Sequence, residues 1–252
     1  MISFPILRTR RLTIQLRELT ISETAAIAAL SPDAEQAECT AFLRAAVASV
    51  SQGESDPAKW TVEERTLAVC HYLAVTSADG PDFSVGDGHY SDYLDGAKDI
   101  SSLEAVLLGE FLGDKWSIRP LTGRYAESIE RILGEVLDDK GNPIPARLHW
   151  TAGAMAASLL RAGEELPPEG TDGEIDEWLT DRIRVLTAFP ERDFIVLLEA
   201  FYNGREKISH LFTPVFRADG IAFLPKEGAA DDLPLARFPA RACLSEIALQ
   251  MV

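Results

Sequence analysis

Cysteine is scarce in this chain. The three residues present, Cys39, Cys70 and Cys243, are odd in number and far apart, which excludes a fully paired disulfide framework and suits buried thiols in a reducing compartment. Basic residues are also in deficit: 24 Lys and Arg stand against 40 Asp and Glu, a net charge of −16. Neutralising duplex phosphate takes a basic footprint, so nucleic acid is not an expected partner. The charge is read first as a source of solubility. No apolar run reaches the roughly 18 residues that a membrane span needs, and no membrane partner is expected.

Catalytic signatures are missing as well. The sequence holds no G-x-G-x-x-G, no phosphate loop closing on Gly-Lys-Ser/Thr, and no G-x-S-x-G elbow. Cys70 adjoins His71, but neighbours on a helix point about 100° apart and do not form a nucleophile–base pair. Cys39, Cys70, His71 and His89 lack the C-x-x-C or H-E-x-x-H spacing of a zinc site. Asp79, Asp82, Asp87, Asp92 and Asp95 do not follow the alternating register of a calcium loop. The expectation is a chain that is not an enzyme, with no catalytic residue, metal or cofactor. A metal-dependent enzyme using His71, His89 and the loop aspartates is the alternative.

What is present is structure. Hydrophobic residues make up 46% of 252 positions, enough for a globular core. Thr61 followed by Glu64 is a capping box, and the residues from Leu67 to Val75 are apolar on all sides, which predicts a core helix over Trp60–Thr76. Further boxes are read at Thr20/Glu23, Ser101/Glu104 and Thr171/Glu174. The box at Ser101/Glu104 predicts a helix with Leu103, Val106, Leu107 and Phe111 on one face, ending at Gly113. Helices are also expected over Ala34–Val50, over Ala152–Ala162, and at the end of the chain through Leu244, Ile247, Ala248 and Met251. Arg8, Arg10, Arg11 and Arg17 hint at a transit peptide. The alternation of Leu12, Ile14 and Leu16 with Thr13, Gln15 and Arg17 instead predicts a half-buried strand. Asp219-Gly220 supplies the turn of a hairpin over 211–224.

The fold class is therefore mainly α, in the α+β sense: a helical body with a few short strands and a C-terminal β-hairpin. The expected division is a lobe over 1–114, with a long acidic loop at 77–99, and a lobe over 115–252, unless the two form one domain. A loop of that length is usually functional. Phe83, Tyr90 and Tyr93 on it, with Trp116, are the residue types that anchor interfaces. Arg8, Arg10 and Arg11 form a basic patch on an acidic molecule, suited to charge-complementary contact.

The segments QLRELTISETAAIAAL, WTVEERTLAVCHYLA, GPDFSVGDGHYSDYL, FPERDFIVLLEAFYNG and FPARACLSEIAL resemble small baseplate-hub or tail-assembly proteins of contractile-tailed bacteriophages. The resemblance implies a non-enzymatic structural or assembly component of the virion tail, in the baseplate, made in the host cytoplasm and held by contacts with other tail or baseplate proteins or with itself. It brings no site residues with it. A tail-assembly chaperone absent from the mature particle is the alternative within the same family.

Overall fold

The computed structural model describes residues 2–138, 140–166, 168 and 170–250. Among these residues the fold is mixed α+β and mainly helical, 43% of the chain, with small antiparallel sheets and a hairpin near the C-terminus. The elements run β1 (Leu7–Arg8), β2 (Thr13–Leu16), α1 (Ile21–Ala28), α2 (Glu35–Ala46), β3 (Val47–Gln52), α3 (Val62–Thr76), β4 (Ser84–Val85) and β5 (Gly88–His89). They continue with β6 (Val106–Phe111), β7 (Asp114–Ile118), α4 (Gly123–Arg131), α5 (Ala146–Ser158), β8 (Leu159–Arg161), α6 (Asp172–Thr187) and α7 (Glu191–Lys207). The last elements are β9 (Thr213–Arg217), β10 (Gly220–Leu224) and α8 (Glu246–Gln250). Met251, expected in the closing helix, lies outside the described residues.

Two compact units divide the chain, and not at residue 114. One comprises residues 1–101, 210–215 and 221–252; the other comprises 102–209 and 216–220. A boundary at 114 would cut the β6–β7 hairpin at its turn.

In the first unit, β1, β2 and β3 form an antiparallel sheet in that order. The period-two pattern does what it predicts: Ile14 and Leu16 are buried, while Thr13 and Gln15 are only partly covered. These side chains share a core with Phe42 and Leu43 of α2, with Trp60, and with Ala68, Val69 and Tyr72 of α3. Thr61 caps α3 as read, its side chain accepting from the Glu64 amide while Glu64 reaches back to the cap amide. The boxes at Thr20 and Thr171 are formed in the same reciprocal way. Gly53, at φ +94°, lets the chain pass so close to the Arg11 carbonyl that a Cβ there would stand 2.4 Å from the oxygen.

In the second unit, β6, β7 and β8 form an antiparallel sheet in that order, accompanied by α4, α5, α6 and α7. The expected helix ending at Gly113 is instead the β6–β7 hairpin. Leu112 at φ 56° and Gly113 at φ 83° give the doubly positive turn that matches strand twist. Alternate burial of Trp116 and Ile118 fixes one face, and a short apolar run cannot declare its period unaided. Two helices stop earlier than expected for a related reason. At Val47 and at Leu159 the chain turns extended, and both segments pair as strands, Val50 with Ile14 and Leu159 with Ile118. Gly153 of α5 faces Ile129 of α4 so closely that a Cβ would lie 2.9 Å from two of its carbons.

Candidate functional site

The residues expected at an interface fall into two groups. Arg8 and Arg10 are exposed, and the Arg10 amide donates to Oδ2 of Asp99 at 2.7 Å. Arg11 is turned inward onto Glu64. Phe83, Tyr93 and Trp116 are buried, and Tyr90 is half-buried. In the first unit, Phe238 is the hub of an aromatic cluster, its ring 5.8–6.5 Å from those of Phe83, Tyr90, Tyr93, Phe212 and Phe223. Tyr93 also donates its hydroxyl to the Pro234 carbonyl at 2.8 Å. Loop 77–99 is thus a packed part of its unit, its aromatics offset and edge-on as such rings prefer. In the second unit, Trp116 donates its indole N–H to the Phe111 carbonyl at 3.0 Å and so braces its own hairpin.

The loop carboxylates tie down backbone. Asp82 accepts from the Ser91 amide and hydroxyl, each at 2.8 Å, and Asp92 accepts from the His89 amide at 2.8 Å. Ser91's contacts hold the Asp82 carboxyl below its ordinary range against the opposing effect of burial. Among the described residues, no group of three or more His, Cys, Asp or Glu side chains is placed to hold a metal. Cys70 is fully buried, and burial pushes its thiol well up, away from thiolate chemistry.

All four histidines of the sequence are bonded to main chain. A His71 ring nitrogen lies 2.9 Å from the Pro5 carbonyl, that of His89 3.2 Å from the Asp82 carbonyl, and that of His149 2.7 Å from the Ile129 carbonyl. Burial lowers the His149 pKa, so that ring is kept neutral. Nδ1 of His210 accepts from the Ile100 amide at 3.2 Å.

His210 is the residue that sequence reading passed over, and it sits in a buried polar cluster of the first unit. It is 1% exposed. Its Nε2 stands 3.7 Å from Oε1 of Glu64, and its Nδ1 stands 3.5 Å from Oδ1 of Asp99. The same Glu64 oxygen accepts from Nε of Arg11 at 2.8 Å, and its other oxygen accepts from the Thr61 amide at 3.0 Å. Burial pushes the Glu64 carboxyl up, but contacts with His210, Arg11 and the Thr61 amide outweigh it and hold the group below its ordinary value.

The backbone that presents His210 is strained. Leu211 has φ 56°, and the Phe212 amide reaches the His210 carbonyl at 2.5 Å, a γ-turn of the rare positive-φ hand. A non-glycine residue held so costs about 1–3 kcal/mol and persists only where its surroundings enforce it. Those surroundings are two cross-ties, from the Leu211 amide to the Lys98 carbonyl at 2.6 Å and from the Asp95 amide to the Leu211 carbonyl at 2.7 Å. No motif marks this site, because Arg11, Glu64, Asp99 and His210 come from four separate stretches. The only sequence signal was the capping role of Glu64.

A cavity of about 20 Å³ bordered by Gln36, Cys39, Arg65, Phe223 and Phe238 has room for about one water. A hollow of about 280 Å³ at Arg44, Val47, Ser55, Asp56 and Pro57 is open to solvent and spanned by the Arg44–Asp56 ion pair at 3.0 Å. Comparison of the chain with protein families, with characterised proteins and with solved structures gives no match in any of the three.

Proposed function

We propose that this chain is a non-enzymatic structural or assembly component of a bacteriophage tail, in the baseplate region, working through contacts with other proteins. The observation that carries the reading is the use to which its chemistry is put. Every histidine is engaged by main chain, and a general base must be in reach of a substrate proton.

Surface features support the same reading. β6 is an edge strand of its sheet, and Val106 and Leu107 on it are 38% and 63% exposed. An apolar, unpaired edge is a template for strand addition by another chain. In the first unit, Ile2 and Ile6 are exposed beside the basic residues Arg8 and Arg10.

The test is mass spectrometry of tailed particles and of tail-assembly intermediates from cells that make the full set of tail proteins. The chain is expected in the particles at fixed stoichiometry, and Leu107→Lys is expected to lower its incorporation while leaving the fold intact. Presence only in intermediates would mark a chaperone, and absence from both would end the phage reading.

A further inference from the structure

The wiring of His210 leaves two buried atoms without hydrogen-bond partners. Nδ1 accepts from the Ile100 amide, so in the neutral ring the proton is on Nε2. That N–H faces Oε1 of Glu64 at 3.7 Å, beyond hydrogen-bond reach, and Nε2 has no hydrogen-bond partner. Oδ1 of Asp99 lies 3.5 Å from the Nδ1 lone pair, electron-rich against electron-rich, and it too has no hydrogen-bond partner. The charged groups around the ring are therefore Glu64 from α3 and Asp99 from the segment before Ser101. Arg11 stands behind Glu64, and the Arg10 amide binds the outer oxygen of Asp99.

We propose that His210 is an acid-responsive clasp. When the ring takes a second proton from solvent at Nδ1, the Ile100 amide loses its acceptor and Oδ1 of Asp99 takes its place, with the imidazolium held between Asp99 and Glu64. One proton is gained, one backbone hydrogen bond is released, and the contacts with Asp99 at 3.5 Å and Glu64 at 3.7 Å become ion pairs. Imidazole is the side chain suited to such a change in the physiological range.

The location gives the exchange its meaning. The chain leaves the first unit after Ser101 and re-enters it at His210. Within the first unit, the ends of that long excursion are fastened to each other by Ile100–His210 and Lys98–Leu211. The strained turn at Leu211 adjoins the ring. Protonation rewrites one of these two fastenings and leaves the other.

The experiment uses the full chain, labelled with ¹⁵N, with the His210 ring assigned by its loss in His210→Gln. As pH is lowered from 8 to 5, the ring is expected to pass from the Nε2–H tautomer to the doubly protonated form. The protection factor of the Ile100 amide is expected to fall at least tenfold, in step with the ring, while that of the Leu211 amide holds. In Asp99→Asn the coupled fall is expected to disappear. A ring that stays singly protonated at pH 5 overturns the proposal. So does an Ile100 amide whose protection ignores the ring, or a coupled fall that survives in Asp99→Asn, a variant that also serves if His210→Gln does not fold.

Discussion

Nε of Arg11 donates to Oε1 of Glu64 at 2.8 Å across 53 residues of sequence, joining the stretch before β2 to the first turn of α3. Glu64 thereby serves the helix cap and a buried ion pair at once, with no part of its side chain exposed. Glu64→Ala leaves Arg11 and the Thr61 amide without their shared acceptor and removes the carboxylate that faces His210. Removing one partner of a buried pair costs about 3–5 kcal/mol, so the urea midpoint of the variant should fall by the equivalent of that amount.

The same carboxylate gives stability a pH dependence of fixed sign. Its folded pKa lies below the ordinary value of 4.5, so it binds fewer protons folded than unfolded. Its contribution is fully present above that ordinary value and is lost as pH falls through the lower, folded one. Unfolding curves of Glu64→Gln should accordingly show a shallower loss of stability below pH 4.5 than the parent chain; parallel profiles would contradict this.

Gly153 and Gly173 separate two effects of one substitution. Both lie in helices, where alanine is favoured over glycine by up to about 1 kcal/mol. At Gly153 the new Cβ would meet Ile129 at 2.9 Å, whereas at Gly173 it would meet nothing within 4 Å. Overpacking costs about 1–3 kcal/mol, which exceeds the gain at the first site only. Thermal melting should therefore show Gly153→Ala destabilised and Gly173→Ala unchanged or slightly stabilised.

Phe238→Ala removes the hub of the aromatic cluster and should destabilise the first unit by about 3–5 kcal/mol. Hydrogen exchange should register the loss most strongly at Phe83, Tyr90 and Tyr93, whose rings contact it. A variant in which loop 77–99 keeps its protection would show that the loop is held by something else.

How much of this was legible beforehand depended on whether the cause was local. The caps at Thr20, Thr61 and Thr171 were readable because their partners lie three residues away. The alternation through Ile14 and Leu16 and the turn at Asp219-Gly220 carried their own period and φ preference. β6 was not readable as a strand, since its helical and extended readings share the same apolar residues until Trp116 and Ile118 pair across the hairpin. Loop 77–99 looked like surface because its partners, Phe212, Phe223 and Phe238, are more than a hundred residues away. The His210 cluster was hidden for the same reason: Arg11, Glu64, Asp99 and His210 meet only in three dimensions.

The nested order of the two units bears on synthesis. Residues 102–209 emerge as nearly one uninterrupted stretch of the second unit, whereas the first unit lacks Phe212, Phe223 and Phe238 until the last segment has been made. Because domains gain their packing as their chain becomes available, the N-terminal hundred residues must wait on the ribosome with an unfinished core while the intervening part is already able to fold.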